Sequence, residues 1–468
     1  MELHKPANPV RFVTAASLFD GHDAAINIMR RILQAQGAEV IHLGHDRSVR
    51  EVVAAVVEED AQGVAISSYQ GGHIEYFEFL ATALADAGAG DVKIFGGGGG
   101  VIVPAEIERL AAAGVKIFSP EDGQRLGLPG MINELVAACD VDLSMYPASP
   151  EAVLSGDRHA LARTFTCLQA AKPLDPAIRT GRRVPVLGIT GTGGSGKSSL
   201  TDELVRRLRV DQQDKTRVTV LAVDPTRRRG GGALLGDRIR MNSLDGDRIF
   251  FRSLATRGSH ELPENIGEII AAAKAVSDLV ILETPGIGQG DTAIVPLVDV
   301  SLYVMTPEFG APSQLEKIDM LDFADVVAIN KFERRGAQDA LRDVSRQLIR
   351  NREDFSARPE DMPVYGTSAA TFDDDGVTAL YQHLMGLLAE HGLSLEPGTL
   401  PKVSVRSSTK TAQIVPPARI RYLAEISETV RGYHAQTVRS AAAARRIQHL
   451  TTAQRELAAP GPIDTLVE

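Results

Sequence analysis

The sequence predicts an α/β protein in which two doubly wound parallel sheets follow one another and a helical arm comes last. Short apolar runs alternate with amphipathic stretches in two separate parts of the chain, and this alternation is typical of parallel strands joined by helices. The length of 468 residues suits two to four domains, at roughly 150 residues each. We expect domain boundaries that give residues 1–140, 141–180, 181–395 and 396–468.

The composition agrees with a globular protein and excludes several other classes. Hydrophobic residues make up 44% of the chain and charged residues 24%, which argues against a disordered or fibrous chain. The sequence has no apolar run of about 18 residues and no secretory pattern near Met1, so we expect neither a membrane span nor export. The cysteines, Cys139 and Cys167, are too few for a disulfide framework, which favours the cytoplasm.

The charge of the chain is negative overall and unevenly distributed. The net charge of −10 argues against a general nucleic-acid binder. Residues 1–150 contain 20 acidic and 10 basic side chains, whereas residues 401–468 contain 5 acidic and 10 basic ones. This asymmetry indicates separate modules.

The first segment, residues 1–140, alternates strands with helices and ends in a helix. The predicted strands are Arg11–Leu18, Glu39–Leu43, Gly63–Ser68, Val92–Phe95 and Val115–Phe118. The predicted helices are Ala24–Gln36, Val49–Glu58, Glu75–Ala87, Ala105–Ala113 and Met131–Cys139. In a doubly wound sheet of this kind, ligands bind beyond the carboxyl ends of the strands.

Polar residues and glycines follow three of these strands. Asp20-Gly21-His22 follows the first strand, Ser68 ends the third, and Gly96–Gly100 follow the fourth. A carboxylate beside an imidazole fixes the tautomer and raises the basicity of the other ring nitrogen, which suits a metal-ligating histidine. Glycines let a bulky ligand approach the backbone closely. The alternative is an ordinary loop histidine beside glycine turns.

Asp20-Gly21-His22-Asp23, together with a serine after the third strand and glycines after the fourth, resembles the flavodoxin-like cobalamin-binding domain of B12-dependent mutases. The resemblance implies that His22 is the lower axial ligand of cobalt and that Asp20 is its hydrogen-bond partner. It also implies that Ser68, Gly97 and Gly98 line the slot for the nucleotide tail of the cofactor.

The sequence departs from this family pattern at two positions. Ala25 stands where the family has glycine, and Gln70 stands where it has leucine. Alanine at the start of a helix is sterically mild, so the assignment is kept.

The second segment, residues 141–180, reads as a linker. Pro147 and Pro150 break the preceding pattern, and residues 151–171 have a helical composition. We expect one or two helices packed on a neighbouring domain, with Cys167 as a small core residue.

The third segment, residues 181–395, begins with a nucleotide-binding motif. The apolar strand Val184–Ile189 leads into Gly191-Thr192-Gly193-Gly194-Ser195-Gly196-Lys197-Ser198, and the helical stretch Ser199–Leu208 follows. Strand, glycine loop and helix are the context that identifies a phosphate-binding loop; a chance glycine turn is the alternative. The predicted nucleotide-binding residues here are Gly193, Gly194, Ser195, Gly196, Lys197, Ser198 and Ser199.

The side chains of this loop have distinct predicted roles. Backbone N–H groups and the helix N-terminus bind the phosphates. Lys197 reaches the β- and γ-phosphates, and the Ser198 hydroxyl ligates Mg²⁺. Asp224 and Glu283 each end a predicted strand, where an acidic residue holds or orients magnesium. Lys197, Asp224 and Glu283 are therefore the predicted catalytic residues.

Two later segments resemble the guanine-recognition segments of GTPases. Asn330-Lys331-Phe332-Glu333 follows the strand Val326–Ile329, and Ser368-Ala369 comes soon after the strand Val364–Tyr365. In GTPases an aspartate normally accepts two hydrogen bonds from guanine, and here Glu333 is one methylene longer. The preference for guanine over adenine is therefore left open. The base-binding residues implied are Asn330, Lys331, Glu333, Ser368 and Ala369.

The segments Asp224–Thr226, Gly230–Met241 and Ala255–Ser259 resemble the metallochaperone-type GTPases that service B12-dependent acyl-CoA mutases. The resemblance runs over roughly 200 residues. It implies that Asp237 and Thr284 join the other magnesium ligands and that Arg240 touches the phosphates. The implied magnesium ligands are Ser198, Asp224, Asp237, Glu283 and Thr284. A solvated loop pair is the alternative for Asp237 and Arg240.

The last segment, residues 396–468, has a long helical stretch at Pro416–Leu450 that is rich in arginine. Apolar residues recur along one face and predict a stripe that faces a partner. The stripe consists of Ile420, Leu423, Ile426, Val430 and Val438.

The order of a cobalamin domain, a GTPase and linker helices resembles the fused isobutyryl-CoA mutases. In that family a substrate-binding barrel follows and the complete enzyme rearranges isobutyryl-CoA to n-butyryl-CoA. The resemblance implies adenosylcobalamin, GTP/GDP and Mg²⁺ as ligands, a homodimer, and no membrane partner. The barrel is either a later part of a longer chain or a separate subunit. We predict that this chain uses GTP hydrolysis to gate cofactor loading or repair, and that it does not isomerise acyl-CoA alone.

Two other functions remain open from the sequence. The first domain could belong to a cobalamin-dependent sensor with a signalling GTPase, although the segment around Asp237 and Arg240 argues against it. Alternatively, it could be a methyl-transfer corrinoid carrier fused to its reactivator, which would use methylcobalamin instead of adenosylcobalamin.

Overall fold

The computed structural model describes residues 4–22, 24–226, 231–257, 262–286, 291–310, 315–409 and 421–457. The chain divides into two compact units, Met1–Thr409 and Lys410–Glu468. Asp23, Gly230, Gly258, Ser259 and residues 416–420 lie outside the described residues.

The strands and helices of the first unit alternate along most of its length. The strands are β1 (Arg11–Ser17), β2 (Glu39–Arg47), β3 (Gly63–Ser67), β4 (Lys93–Gly97), β5 (Val115–Ile117), β6 (Val186–Gly191), β7 (Val218–Asp224), β8 (Ala233–Leu235), β9 (Ile249–Ala255), β10 (Leu279–Glu283), β11 (Val300–Met305), β12 (Val326–Asn330) and β13 (Val364–Thr367). The helices are α1 (Ala24–Ala35), α2 (Val49–Glu59), α3 (His73–Asp86), α4 (Pro104–Ala112), α5 (Pro120–Cys139), α6 (Pro150–Leu154), α7 (Arg158–Gln169), α8 (Lys197–Asp211), α9 (Ile266–Val276), α10 (Ala337–Asn351) and α11 (Asp375–Glu390).

The first sheet has the strand order β5-β4-β3-β1-β2-β8, and its strand pairs are all parallel. The five strands predicted from the first segment are present. The sixth strand, β8, comes from the third segment and pairs with β2. Its three apolar residues follow a glycine run in the sequence. Nothing in their local pattern indicates which of the two sheets they join.

The second sheet is also parallel and has the order β13-β12-β11-β6-β10-β7-β9. β6 lies between β11 and β10, so the glycine loop that follows it emerges near the middle of the sheet. Buried apolar side chains on both faces form the core of this half, as expected for a sheet covered by helices on each side.

The helix that ends the first segment is longer than the sequence predicts, whereas the linker agrees with the expected one or two helices. The predicted helix Met131–Cys139 extends back to Pro120, with a break at Gly127, where φ is +64°. A positive φ of this kind is one that glycine adopts without strain. The linker forms two helices, α6 and α7, which the turn around Gly156 separates.

The second unit contains α12 (Tyr422–Leu457), a helix of 36 residues. The predicted helix Pro416–Leu450 overlaps it for most of its length, and the helix continues seven residues further because its later sequence has no glycine or proline to stop it. In the part of the chain that the structure describes, no helix is both long and apolar enough to cross a membrane.

Candidate functional site

The carboxyl edge of the first sheet holds Asp20 and His22. The Asp20 carboxylate accepts hydrogen bonds from the backbone N–H of His22 (2.9 Å) and of Tyr69 (2.6 Å), and its Oδ1 lies 2.8 Å from His22 Nδ1. Burial by itself would raise the pKa of Asp20, but the hydrogen bonds from Tyr69 and His22 outweigh it and lower that pKa. The carboxylate therefore stays ionised and orients the imidazole.

Ser68 directly follows β3 and forms hydrogen bonds to the ends of the neighbouring strands β1 and β4. Its hydroxyl accepts a hydrogen bond from Ser17 Oγ at 2.8 Å, and its backbone N–H donates to the carbonyl of Gly97. A Cβ atom at Gly98 would overlap the carbonyl of Ser68, because the two loops touch there. Gly98 is therefore required by close approach of the backbone, whereas Gly97 has room for a side chain.

A cavity of about 310 Å³ opens beside these residues, between the sheet and helices α1 and α5. Its lining is mostly apolar and includes Gly97, Gly98 and Tyr69. Ser68 itself is fully buried behind the lining, and its neighbours Ser67 and Tyr69 face the space. This cavity is the size of an extended, mainly apolar ligand group.

The glycine loop after β6 is shaped to bind phosphate. Gly194 and Gly196 have φ values of +75° and +89°, which glycine adopts without strain. The α8 helix begins at Lys197. The Nζ atom of Lys197 donates to the carbonyls of Gly191 (3.0 Å) and Thr192 (3.3 Å). The loop thus combines a helix N-terminus with a buried ammonium group.

Three carboxylates gather around Ser198. Its Oγ lies 2.8 Å from both Asp237 Oδ1 and Glu283 Oε1, and Glu283 Oε2 accepts a hydrogen bond from Thr201. Burial and then the charge of Asp237 raise the pKa of both Asp224 and Glu283. Such crowding is relieved by a cation, and oxygen donors are the ligands that Mg²⁺ prefers.

Among the described residues, no three His, Cys, Asp or Glu side chains are arranged to hold a metal ion by themselves. Magnesium in proteins usually keeps several waters and takes phosphate oxygens together with one or two carboxylates. The Thr284 hydroxyl lies 2.7 Å from Thr190 Oγ1, and within the described residues no hydrogen bond joins it to Asp224, Asp237 or Glu283. Arg240 Nη1 lies 2.7 Å from Asp237 Oδ1 with its side chain largely exposed.

The two predicted base-recognition segments meet each other and the glycine loop. Asn330 donates to the carbonyl of Ser195 and accepts from the N–H of Ala369, and Lys331 Nζ donates to the carbonyl of Gly194. Glu333 Oε2 accepts a hydrogen bond from the Ser368 hydroxyl at 2.9 Å. These contacts place the Glu333 carboxylate at the same edge of the sheet as the loop.

Two family models match the chain, one for each half of this site. The B12 binding domain matches residues 10–123, and the methylmalonyl-CoA mutase-associated GTPase MeaB matches residues 163–393. The first matched range contains Asp20, His22 and most of the residues that line the cavity. The second contains the phosphate-binding loop and the base-recognition segments.

Curated relatives resemble the chain over both ranges at once. Proteins called fused isobutyryl-CoA mutase are 74% identical in Nocardia farcinica and 61% identical in Cupriavidus metallidurans, each over 97% of this chain. The chain is homologous to the fused isobutyryl-CoA mutases. A third relative of that name, from Geobacillus kaustophilus, is 51% identical over 95% of this chain. The chain spans 42–43% of the length of these relatives.

These matches show that the first domain is a cobalamin-binding domain and the second is a GTPase domain of the MeaB type. The fold class and the resemblance predicted from the sequence are thereby confirmed. The individual site residues remain predictions, and the structure adds four that the sequence analysis did not identify. These are Ser17, Tyr69, Thr201 and Thr190.

The local pattern gave little indication of these four residues. Ser17 and Thr190 lie inside apolar strands, and Thr201 lies in the second turn of α8. Tyr69 stands between Ser68 and Gln70, directly after the predicted third strand. This position was the one sequence clue to its contact with Asp20.

Proposed function

We propose that this chain binds adenosylcobalamin at the first sheet and hydrolyses GTP at the second, and that hydrolysis controls loading or protection of the cofactor. The observation that carries the proposal is the Asp20–His22 pair beside a mostly apolar cavity of about 310 Å³. The matches to the B12 binding domain and to the MeaB GTPase support both halves of the proposal.

His22 is the residue proposed to hold cobalt. Because Nδ1 faces Asp20 at 2.8 Å, Nε2 is the ring nitrogen that is available to the metal. A carboxylate partner makes that nitrogen a better donor. Gly97 and Gly98 are proposed to border the nucleotide tail in the cavity, with Ser68 directly behind this wall. Bound adenosylcobalamin supplies the radical chemistry, while the protein supplies binding and orientation.

GTP is proposed to bind with its phosphates on the loop that includes Gly193, Gly194, Ser195, Gly196 and Ser199. Lys197 then exchanges its carbonyl contacts for the β- and γ-phosphates, and Arg240 lies close enough to Asp237 to approach the same charge. Phosphoryl transfer is helped mainly by positioning and by neutralising charge. Asn330, Lys331, Glu333, Ser368 and Ala369 are proposed to form the base site.

Magnesium is proposed to bind at Ser198 and the nearby carboxylates. Asp237 and Glu283 each lie 2.8 Å from the Ser198 hydroxyl. Asp224 is close enough to both that their negative charges help to raise its pKa. Thr284 is retained as a ligand only if its contact with Thr190 breaks when the ion binds.

The activity of a complete mutase remains a proposal for this chain. The rearrangement of isobutyryl-CoA to n-butyryl-CoA needs a substrate domain, supplied by the same longer chain or by a separate subunit. A homodimer in the cytoplasm is the assembly proposed from the resemblance.

One set of spectra tests the proposal. The purified chain is incubated with adenosylcobalamin, with and without GTP and magnesium, and the absorbance of the protein-bound cofactor is recorded alongside phosphate release. We expect a histidine-ligated cobalamin spectrum and magnesium-dependent phosphate release. Absence of bound cofactor would refute the first half, and absence of phosphate release would refute the second.

A further inference from the structure

One short segment of the GTPase domain takes part in both sheets. β8 is an edge strand of the cobalamin-binding sheet and pairs with β2. In this pairing Ala233 lies opposite Glu39, Leu234 opposite Val40 and Leu235 opposite Ile41. The backbone just before it is held equally closely, because a Cβ atom at Gly232 would overlap the carbonyl of Gln34. The segment is therefore fixed to the first domain by its backbone.

The residues after β8 return directly to the nucleotide site. The N–H of Gly236 donates to Asp224 Oδ2 at 3.0 Å, and Asp237 Oδ1 lies 2.8 Å from Ser198 Oγ. Only one residue separates Leu235, in the first sheet, from Asp237 beside the phosphate-binding loop. Such a short connection leaves little slack to absorb a movement of Asp237.

The next side chain points back into the first domain. Arg238 is 6% exposed, and its Nη2 lies 2.7 Å from Glu58 Oε2 near the end of α2. Its Nη1 donates to the carbonyl of Phe251 at 3.2 Å. Asp237 and Arg238 are adjacent, yet one faces the predicted magnesium ligands and the other is anchored to the cobalamin-binding domain.

The anchor of Arg238 belongs to a buried set of ion pairs between the two domains. Glu59, beside Glu58, accepts from Ser253 Oγ at 2.8 Å and from Arg11 Nη1 at 3.1 Å. Glu39 pairs with Arg11 and with Arg257. Removing one partner of such a buried pair lowers the free energy of unfolding of the protein, because the other charge is left buried and unpaired. Their geometry therefore resists gradual deformation.

We propose that Arg238 is a positioning residue that couples the nucleotide site to the cobalamin site. Binding of magnesium and the γ-phosphate displaces Asp237. This displacement moves Arg238 relative to its partner Glu58 in α2, and it moves β8 relative to β2. β2 pairs with β1, and β1 ends just before Asp20 and His22. This inference rests on the proposed function, since it assumes that both ligands bind where they were placed above.

Coupling between two binding sites is reciprocal, so it is measured as a ratio of affinities. The dissociation constant of adenosylcobalamin is determined by absorbance titration with Mg²⁺-GDP and with Mg²⁺ and a non-hydrolysable GTP analogue. We expect the two constants to differ by at least about 5-fold in the native chain. In Arg238→Gln the ratio should fall to within about twofold of one, and Arg238→Lys should restore part of it.

Arg50→Gln is the matched control. Arg50 on α2 pairs with Asp245 of the GTPase domain at 3.0 Å, so it also joins the two domains, but both side chains are 75% exposed. This variant should keep the native ratio. A native ratio of one, or an unchanged ratio in Arg238→Gln, would overturn the inference.

A measurement on the native chain covers the case in which Arg238→Gln does not fold. Backbone hydrogen exchange in β8 and β2 is compared between Mg²⁺-GDP and the GTP analogue, and we expect a difference in both strands. Equal exchange in the two states overturns the inference while leaving the proposed function intact, provided that each ligand binds alone. Failure of either ligand to bind alone refutes the proposed function itself.

Discussion

His22 Nδ1 lies 2.8 Å from Asp20 Oδ1, although the imidazole side chain is 76% exposed and the carboxylate is completely buried. The buried partner also accepts the backbone N–H groups of His22 and Tyr69. An exposed ring is thus held in one orientation by a carboxylate that cannot easily move. Because Nδ1 contacts Asp20, this arrangement leaves Nε2 of His22 as the ring nitrogen at the open edge of the sheet.

The first prediction concerns this pair. His22→Ala should prevent the histidine-ligated spectrum of bound cobalamin, because the variant lacks the ring nitrogen that is proposed to ligate cobalt. Asp20→Asn should keep the ligand but weaken cobalamin binding by about 10–100-fold, as is typical when the partner of a ligating histidine is changed. Absorbance titration measures both effects. Identical spectra and affinities for His22→Ala and the native chain would contradict the axial role.

The second prediction concerns the contact between the loops after β3 and β4. Gly98→Ala should destabilise the chain by about 1–3 kcal/mol, because the added Cβ overlaps the Ser68 carbonyl and forces the backbone to shift. It should also weaken cobalamin binding, since the cavity wall moves. Gly100→Ala is the control, because a Cβ there meets no atom within 4 Å. Thermal unfolding and titration of both variants decide the matter.

The third prediction concerns the phosphate-binding loop. Lys197→Ala should lower GTP hydrolysis by about 10²–10³-fold, as is common when a group that stabilises developing charge is removed. Lys215→Ala should hydrolyse GTP at the native rate, because Lys215 is exposed and pairs with Glu396 far along the chain. Removal of magnesium with a chelator should abolish hydrolysis in the native chain. Hydrolysis that survives in Lys197→Ala would remove the basis for the loop assignment.

The fourth prediction concerns the choice of base. Glu333→Ala should raise the KM for GTP by roughly 10–100-fold, since hydrogen bonds to a charged group contribute about 1.5–3 kcal/mol. Glu333→Asp should retain guanine binding, because the shorter carboxylate matches the usual GTPase segment. Measuring GTP and ATP turnover side by side tests the specificity. Equal turnover of GTP and ATP by the native chain would show that Glu333 does not select guanine.

The fifth prediction concerns stability and pH at the junction of α7 with α2. The hydrogen bond to Asp60 raises the pKa of His159, and the Asp60 charge adds to this, while burial and Arg163 oppose it. A raised folded-state pKa contributes stability that is fully present below the unfolded pKa, near 6.5, and is lost as pH rises through the folded pKa.

His159→Gln isolates this contribution. The Tm of the native chain should exceed that of His159→Gln by roughly 1–2 °C at about pH 5.5, and the difference should shrink towards about pH 9. Glutamine still donates a hydrogen bond to Asp60, so it removes the charge alone. His434→Gln, on the exposed face of α12, should leave the profile unchanged. A difference in Tm that is constant with pH would rule out the charge of His159 as its source.

Much of both sites could be predicted because their residues are neighbours in the chain. Asp20 and His22 are two positions apart, so a carboxylate and an imidazole were bound to be near each other whatever the rest of the fold did. Gly191 to Ser198 form a continuous motif, and the structure places them between a strand and a helix as predicted. Thr284 was implied as a magnesium ligand by the resemblance to the GTPases, and it stays a prediction; its hydroxyl lies 2.7 Å from Thr190 Oγ1.

Ser17 and Tyr69 could not be found in the same way. Ser17 ends an apolar strand, and its hydroxyl becomes significant only because β1 and β3 pair and bring it to Ser68. The close contact of Gly98 with Ser68 likewise depends on the pairing of β3 with β4.

Features that depend on local order could be predicted without coordinates: the alternation of strands and helices, the phosphate-binding loop and the histidine beside its aspartate. The pairing of β8 with the other sheet and the burial of Arg238 against Glu58 became visible only in the folded chain. Strand pairing and burial of charge depend here on partners that lie 180 to 194 residues away in the sequence. A three-residue strand and an arginine have no local pattern that names such partners.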